Sequence, residues 1–154
     1  MSPVKSGIGI KAIVVTLAAA AVLAACSGVD MADPRQVVIG MFGAMEKDDK
    51  AALTHYLDLA ELMKTSQHDY ALSGDTARVF TSPEDVLNDL TGNGETKQTW
   101  FGLQRIVNTA QVQGDHATVE VTFVDKANSK GYRTQFGLHK VEGEWRIYSF
   151  KTVS

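Results

Sequence analysis

From about Gln98 to the C-terminus, apolar residues recur at every second position, and this pattern constrains the fold more than any other. Ala117, Val119, Val121 and Phe123 alternate with Thr118, Glu120 and Thr122, as in a strand with one face in a core and the other in water. Gly114-Asp115 and Glu142-Gly143 read as two-residue hairpin turns, and Ala127 to Gly131 as a looser one. The tail is therefore expected to form a meander of four antiparallel strands, about 99–113, 116–126, 131–141 and 144–153. A sheet with one apolar face needs a second layer against it.

The preceding residues supply that layer. Asp33 suits a helix N-cap, Pro34 the first helical position, and Gln36 three residues on completes a capping-box pattern. Val37, Val38, Met41, Phe42 and Met45 follow at helical spacing. Lys47-Asp48-Asp49 ends that helix, and a second stripe runs through Leu53, Tyr56, Leu57, Ala60 and Met63. Thr65 to Phe80 is ambiguous, with a turn signal at Ser73-Gly74-Asp75 and a candidate strand over Ala77–Phe80. A third helix is capped by Ser82, starts at Pro83 with Asp85 three past the cap, and ends at Gly92-Asn93-Gly94. The fold class is α+β: two to three helices on a four-stranded antiparallel meander.

The N-terminal stretch is a different kind of sequence. Lys5 and Lys11 form a positive region, Ile13 to Ala24 is apolar, and small residues lead to Cys26. That run falls short of the roughly 20 residues a membrane span needs. Leu23-Ala24-Ala25-Cys26 resembles the lipobox of bacterial lipoproteins. The resemblance implies a cleaved signal peptide over 1–25, lipidation at the Cys26 thiol, a lipidated tether over 26–32 and a domain over 33–154. Cys26 is the only cysteine, which excludes an intrachain disulfide. More than one acyl chain gives a stable anchor, so the expected partner is a membrane and the expected place the bacterial cell envelope. Ser27 after the cysteine favours the outer membrane. Loss of Lys5 and Lys11 with the leader turns the formal charge of −3 into −5, which speaks against nucleic acid. Six extended residues from Ser27 to Ala32 reach about 20 Å.

The mature chain resembles the NTF2-like (cystatin-like α+β) superfamily, and more closely small envelope lipoproteins with a DUF4878-type domain. The likeness is carried by Asp33-Pro34 with Val37 and Phe42, Lys47-Asp48-Asp49 with Ala52, Asp115-His116-Ala117-Thr118-Val119, and Val141-Glu142-Gly143-Glu144-Trp145-Arg146-Ile147. It implies helices that close one side of a curved sheet into a cone. The superfamily holds both enzymes and binding modules, so the fold alone does not assign a reaction.

The residues assign no catalytic group, metal ligand or cofactor. No phosphate loop, nucleophile elbow or HExxH motif is present. His55 and Asp58, three apart on the second helix, are a possible pair that lacks a third ligand; His68-Asp69-Tyr70 falls in the ambiguous segment. His116 and His139 read as surface residues. Trp145 and Ile147 should join Phe136 and Leu138 in the core.

Strand register gives a sharper expectation, because opposed residues share a face. The two tight turns pair Ala110 with Val119, Asn108 with Val121, Ile106 with Phe123, Leu138 with Ile147 and Phe136 with Ser149. Matching inside to inside pairs Val121 with Thr134 and Phe123 with Tyr132. Asn108, Thr134, Lys151 and Tyr132 then line the mouth of the cone, with Tyr56 opposite. A ligand would set its polar end at Lys151 and its apolar part toward Phe123 and Trp145. The outward set holds Glu120, Arg133, Gln135, Tyr148 and Phe150, and the last two suggest a weak homodimer. The leading expectation is a lipid-anchored module binding an unknown small molecule. The alternatives are an isomerase- or dehydratase-type enzyme and a structural protein that pairs through its sheet.

Overall fold

A computed structural model of the chain describes residues 28–69 and 80–153, the side chains of 66–69 excepted. The expected signal peptide, Cys26, Tyr70 and nearly all of the candidate strand at Ala77–Phe80 lie outside the described residues. Among the described residues, five helices, α1 (Pro34–Glu46), α2 (Lys50–Tyr56), α3 (Leu59–Asp69), α4 (Pro83–Asp89) and α5 (Glu95–Phe101), precede four strands, β1 (Gln104–Gln113), β2 (His116–Asp125), β3 (Lys130–Val141) and β4 (Glu144–Val153). The strands form one antiparallel sheet in the order β1-β2-β3-β4. The architecture is α+β.

The caps act where the sequence places them. Asp33 Oδ1 accepts the N–H groups of Arg35 and Gln36, satisfying donors that the helix itself leaves unpaired. The N–H of Asp33 bonds to Asp30 O at 3.1 Å, so the backbone of the preceding turn takes the partner that Gln36 was expected to be. Ser82 and Asp85 form a complete capping box.

The expected second helix is two. After Tyr56 the chain extends, Leu57 forms a parallel bridge with Ile147 of β4, and the Asp58 N–H bonds to Ile147 O at 2.8 Å. Asp58 then caps α3 through Glu61 N–H. A contact about 90 residues distant in sequence thus overrides a continuous apolar stripe. The first strand also begins later than expected, because 95–101 is helical. Buried Asp89 holds that extra helix: its carboxylate accepts the N–H and hydroxyl of Thr96. At Gly94, the N-cap, a Cβ would stand 2.2 Å from Asp89 O, so only glycine fits.

The central pair β2–β3 keeps the expected register along its whole length, with Val121 opposite Thr134 and Phe123 opposite Tyr132. Both edge strands depart from it. In β1, Val107 faces Val121 and Ala110 faces Val119, so two residues of β1 oppose Glu120. In β4, Ile147 faces Leu138 and Ser149 faces Gly137, so Tyr148 is the extra residue. Each is a β-bulge, and each reverses the facing of the rest of its strand. Ile106 turns outward and is 46% exposed, while Phe150, expected outside, is buried opposite Phe136. Each bulge frees a carbonyl that a helix side chain takes up. Arg35 of α1 donates twice to Val107 O, at 3.1 and 3.3 Å, and the Thr65 hydroxyl of α3 donates to Tyr148 O at 3.0 Å.

Candidate functional site

The inner face of the sheet is packed with aromatic rings. Trp100 of α5 stacks on Phe123 at 5.4 Å and meets Phe136, Phe150 and Phe42 edge-on or tilted at 5.3 to 5.8 Å. The bulge in β1 brings Arg105 to this face. Its guanidinium lies 3.9 Å from the Phe101 ring centroid and donates to Trp100 O at 3.0 Å. Burial lowers its pKa, a shift the Glu46 carboxylate opposes. A guanidinium remains charged in proteins regardless, and this one is satisfied by a carbonyl and a ring face.

The residues expected at the mouth are not brought together. Thr134, Tyr132 and Phe123 share the inner face, but Thr134 is 1% exposed and its hydroxyl has no partner among the described residues. The bulges carry the two polar members to the other face. Asn108 donates to Thr122 Oγ1 and Glu120 Oε1, and Lys151 is exposed opposite Gln135. Tyr56 is buried against Gly40 of α1, where a Cβ would come within 2.9 Å of its ring. Trp145 pairs with Lys140 while Phe123 pairs with Tyr132, which separates them by about 26 Å along the sheet. Inward-facing Phe150 also leaves the outer face with Tyr148 as its aromatic residue for pairing with a second copy.

A different cluster forms where the α2–α3 junction meets β4. Asp58 Oδ2 lies 2.8 Å from His139 Nε2, and its other oxygen caps α3. The His139 ring packs on Tyr148, centroids 4.7 Å apart, and His116 meets Tyr148 edge-on at 6.3 Å. Gly137 makes this possible: a Cβ there would stand 3.2 Å from the Tyr148 ring and 2.3 Å from Ser149 Oγ. Arg146 is the cross-strand neighbour of His139. Beside it opens a cleft of about 270 Å³ lined by Thr54, Leu57, Asp58, Leu59, Val141 and Arg146. Arg146 Nε is buried and has no hydrogen-bond partner among the described residues. A cleft with apolar walls, one unpaired guanidinium donor and an already paired carboxylate can take a small anion with an apolar body. His55, by contrast, is not paired with Asp58; its Nε2 lies 3.9 Å from Glu144. No group of three or more His, Cys, Asp or Glu among the described residues could hold a metal ion.

Sequence reasoning passed over Arg146 and took His139 for a surface residue. The alternation of β3 puts His139, and that of β4 puts Arg146, on the outer face. What it could not supply was the α2–α3 junction that walls the cleft.

No protein-family model matches the sequence, and no curated relative does. Solved structures do match in shape. The variant named Rd1NTF2_05 aligns with a TM-score of 0.51 and 14% identity over 77% of this chain and 95% of its own. The fold is NTF2-like. An NTF2-like protein from Burkholderia thailandensis aligns at 0.44 with 16% identity over 79% and 89% of the two chains. A DUF4783 family protein from Bacteroides ovatus aligns at 0.44 with 12% identity over 73% and 89%. At these identities the NTF2-like likeness concerns the fold alone.

Proposed function

We propose that the protein is a lipid-anchored envelope protein of the DUF4878 type whose NTF2-like domain binds a small carboxylate-bearing ligand in the cleft beside Arg146. The cleft favours a binding role over catalysis. The anchor rests on Leu23-Ala24-Ala25-Cys26 behind an apolar leader, and outer-membrane placement on Ser27. The observation that carries the ligand reading is the buried, unpartnered Nε of Arg146 on the cleft wall. An unpaired buried donor costs about 1–3 kcal/mol, and a carboxylate in the cleft that draws the Arg146 guanidinium outward would relieve it. Asp58 does not repel such a ligand strongly, because His139 and the α3 N-terminus occupy its two oxygens.

Titration of benzoate and butyrate into the soluble domain, followed by amide chemical shifts, tests the cleft. Shifts should concentrate at Leu57, Asp58, Val141 and Arg146, and Arg146→Met should abolish them. Binding that survives Arg146→Met, or no shift at millimolar ligand, refutes the reading. For the anchor, Cys26→Ser should accumulate as uncleaved precursor; normal cleavage after Ala25 refutes lipidation. The 2.8 Å His139–Asp58 contact favours a second reading, an acid–base enzyme of the isomerase or dehydratase type.

A further inference from the structure

The segment that joins the anchor to the fold is itself part of the fold. Trp145 N–H donates to Met31 O and Trp145 Nε1 to Ala32 O, both at 3.0 Å. Val29 and Met31 pack against the core. A Cβ on Gly40 would come within 2.9 Å of both Val29 and the Tyr56 ring, so Val29 fills the notch that this glycine leaves between α1 and α2. The expected free tether of six residues therefore shrinks. Two residues, Ser27 and Gly28, separate Cys26 from Val29, and the three Cα-to-Cα steps span about 10 Å when fully extended.

We infer that the α1–α2 face around Val29, Ile39 and Tyr56 is held against the lipid surface, with the outer sheet face and the β2–β3 turn directed away from it. The inference rests on lipidation at Cys26. With about 10 Å of slack, the lipid stays near Val29, which sits against Gly40 of α1 and Tyr56 of α2, whereas Lys151 lies six residues along β4 from Trp145, about 20 Å away. Ile39, next to Gly40 on α1, is apolar and 37% exposed, which suits a surface pressed to headgroups. The formal charge of −5 on the processed chain excludes general attraction to anionic lipid; the short strap sets the orientation.

The experiment uses the lipidated full chain in phosphatidylethanolamine–phosphatidylglycerol vesicles containing a headgroup nitroxide lipid. The Cys26 thiol is occupied by lipid, so a fluorophore goes to one introduced cysteine: Ile39→Cys on α1, Lys151→Cys on the outer sheet face or Ala127→Cys in the β2–β3 turn. The Ile39→Cys probe should lose most of its fluorescence, and the other two should keep theirs. A flexible Gly-Ser spacer inserted between Ser27 and Gly28 should bring the three probes to similar quenching. Equal quenching in the unmodified strap, or stronger quenching at Lys151→Cys, overturns the orientation while the anchor stands. Protein that fails to float with the vesicles overturns the anchor and the orientation together.

Discussion

The two edges of the sheet carry the same irregularity and end in opposite states. At the β1 edge the bulge turns Arg105 inward, where a carbonyl and an aromatic face satisfy its guanidinium, and the neighbouring space is filled by Trp100 and the phenylalanines around it. At the β4 edge the bulge lifts Tyr148 over Gly137 onto two histidines, and the next arginine, Arg146, keeps a buried Nε with no partner beside an open cleft. Closing a polar group into a core requires that it be satisfied. An unsatisfied donor at a concave surface marks the place where a ligand can do what the protein does not. The β1 edge is thus filled and satisfied, and the β4 edge is where the proposed ligand would sit.

The contrast breaks most sharply at the rings. Trp100→Ala should cost about 3–5 kcal/mol, a large share of an ordinary domain's stability. The melting temperature should fall by more than about 10 °C. A fall of only a few degrees would show that the interior is loosely filled and that a ligand could enter it, which would reverse the assignment of the two edges.

Methionine at each arginine compares the edges directly. Arg105→Met leaves Trp100 O without its donor and removes the cation over Phe101, and it should cost about 1–3 kcal/mol. Arg146→Met deletes an unsatisfied donor and should leave stability unchanged or raise it by up to about 1–3 kcal/mol. Urea unfolding of the two variants measures the difference. Equal costs would mean that Arg146 is as much a structural residue as Arg105.

These assignments explain what the sequence could and could not reveal. The β2–β3 register was legible because alternation is unbroken on both strands and inward residues must meet. The bulges were not, since one extra residue leaves composition unchanged and only reverses its phase. In β1 the straight pattern favours Ile106 inside over Arg105, and it fails because a guanidinium with a ring and a carbonyl can be buried. In β4 the same reversal exchanges Phe150 for Ser149 and sends Lys151 outward. Trp100 was read as strand because its helix depends on an Asp89–Thr96 link that local pattern does not encode. The cleft was beyond sequence reasoning for a related cause: Leu57 and Ile147 meet only through the tertiary fold.

A smaller effect sharpens the β4 side. Asp58→Ala removes both the α3 cap and the His139 contact and should cost about 1–2 kcal/mol. Asp58→Asn keeps a capping oxygen and an amide beside His139, and it should recover more than half of that loss. If the two variants unfold alike, the charge of Asp58 matters more than its hydrogen bonds.

The smallest expected effect comes from a charge that is fully partnered yet exposed. Asp48, in the turn after α1, accepts hydrogen bonds from Lys97 Nζ and from Gly92 N–H, the latter at 2.7 Å. The Lys97 bond first and the Gly92 bond second hold its pKa below the ordinary 3.8. A carboxyl whose pKa is lower in the folded chain stabilises that chain above the ordinary value and loses its contribution as pH falls through the folded value. The contribution is thus complete at neutral pH and disappears below 3.8. Asp48→Asn should lower the melting temperature slightly at neutral pH, and the two melting curves should converge at the acid end. Because the carboxyl is half in water, screening should shrink the gap in high salt. The same pH series on Arg146→Met should run parallel to wild type, since Arg146 has no carboxylate partner to lose. Convergence there instead would reveal an acidic partner for Arg146 and would fill, from within the protein, the place assigned to a ligand.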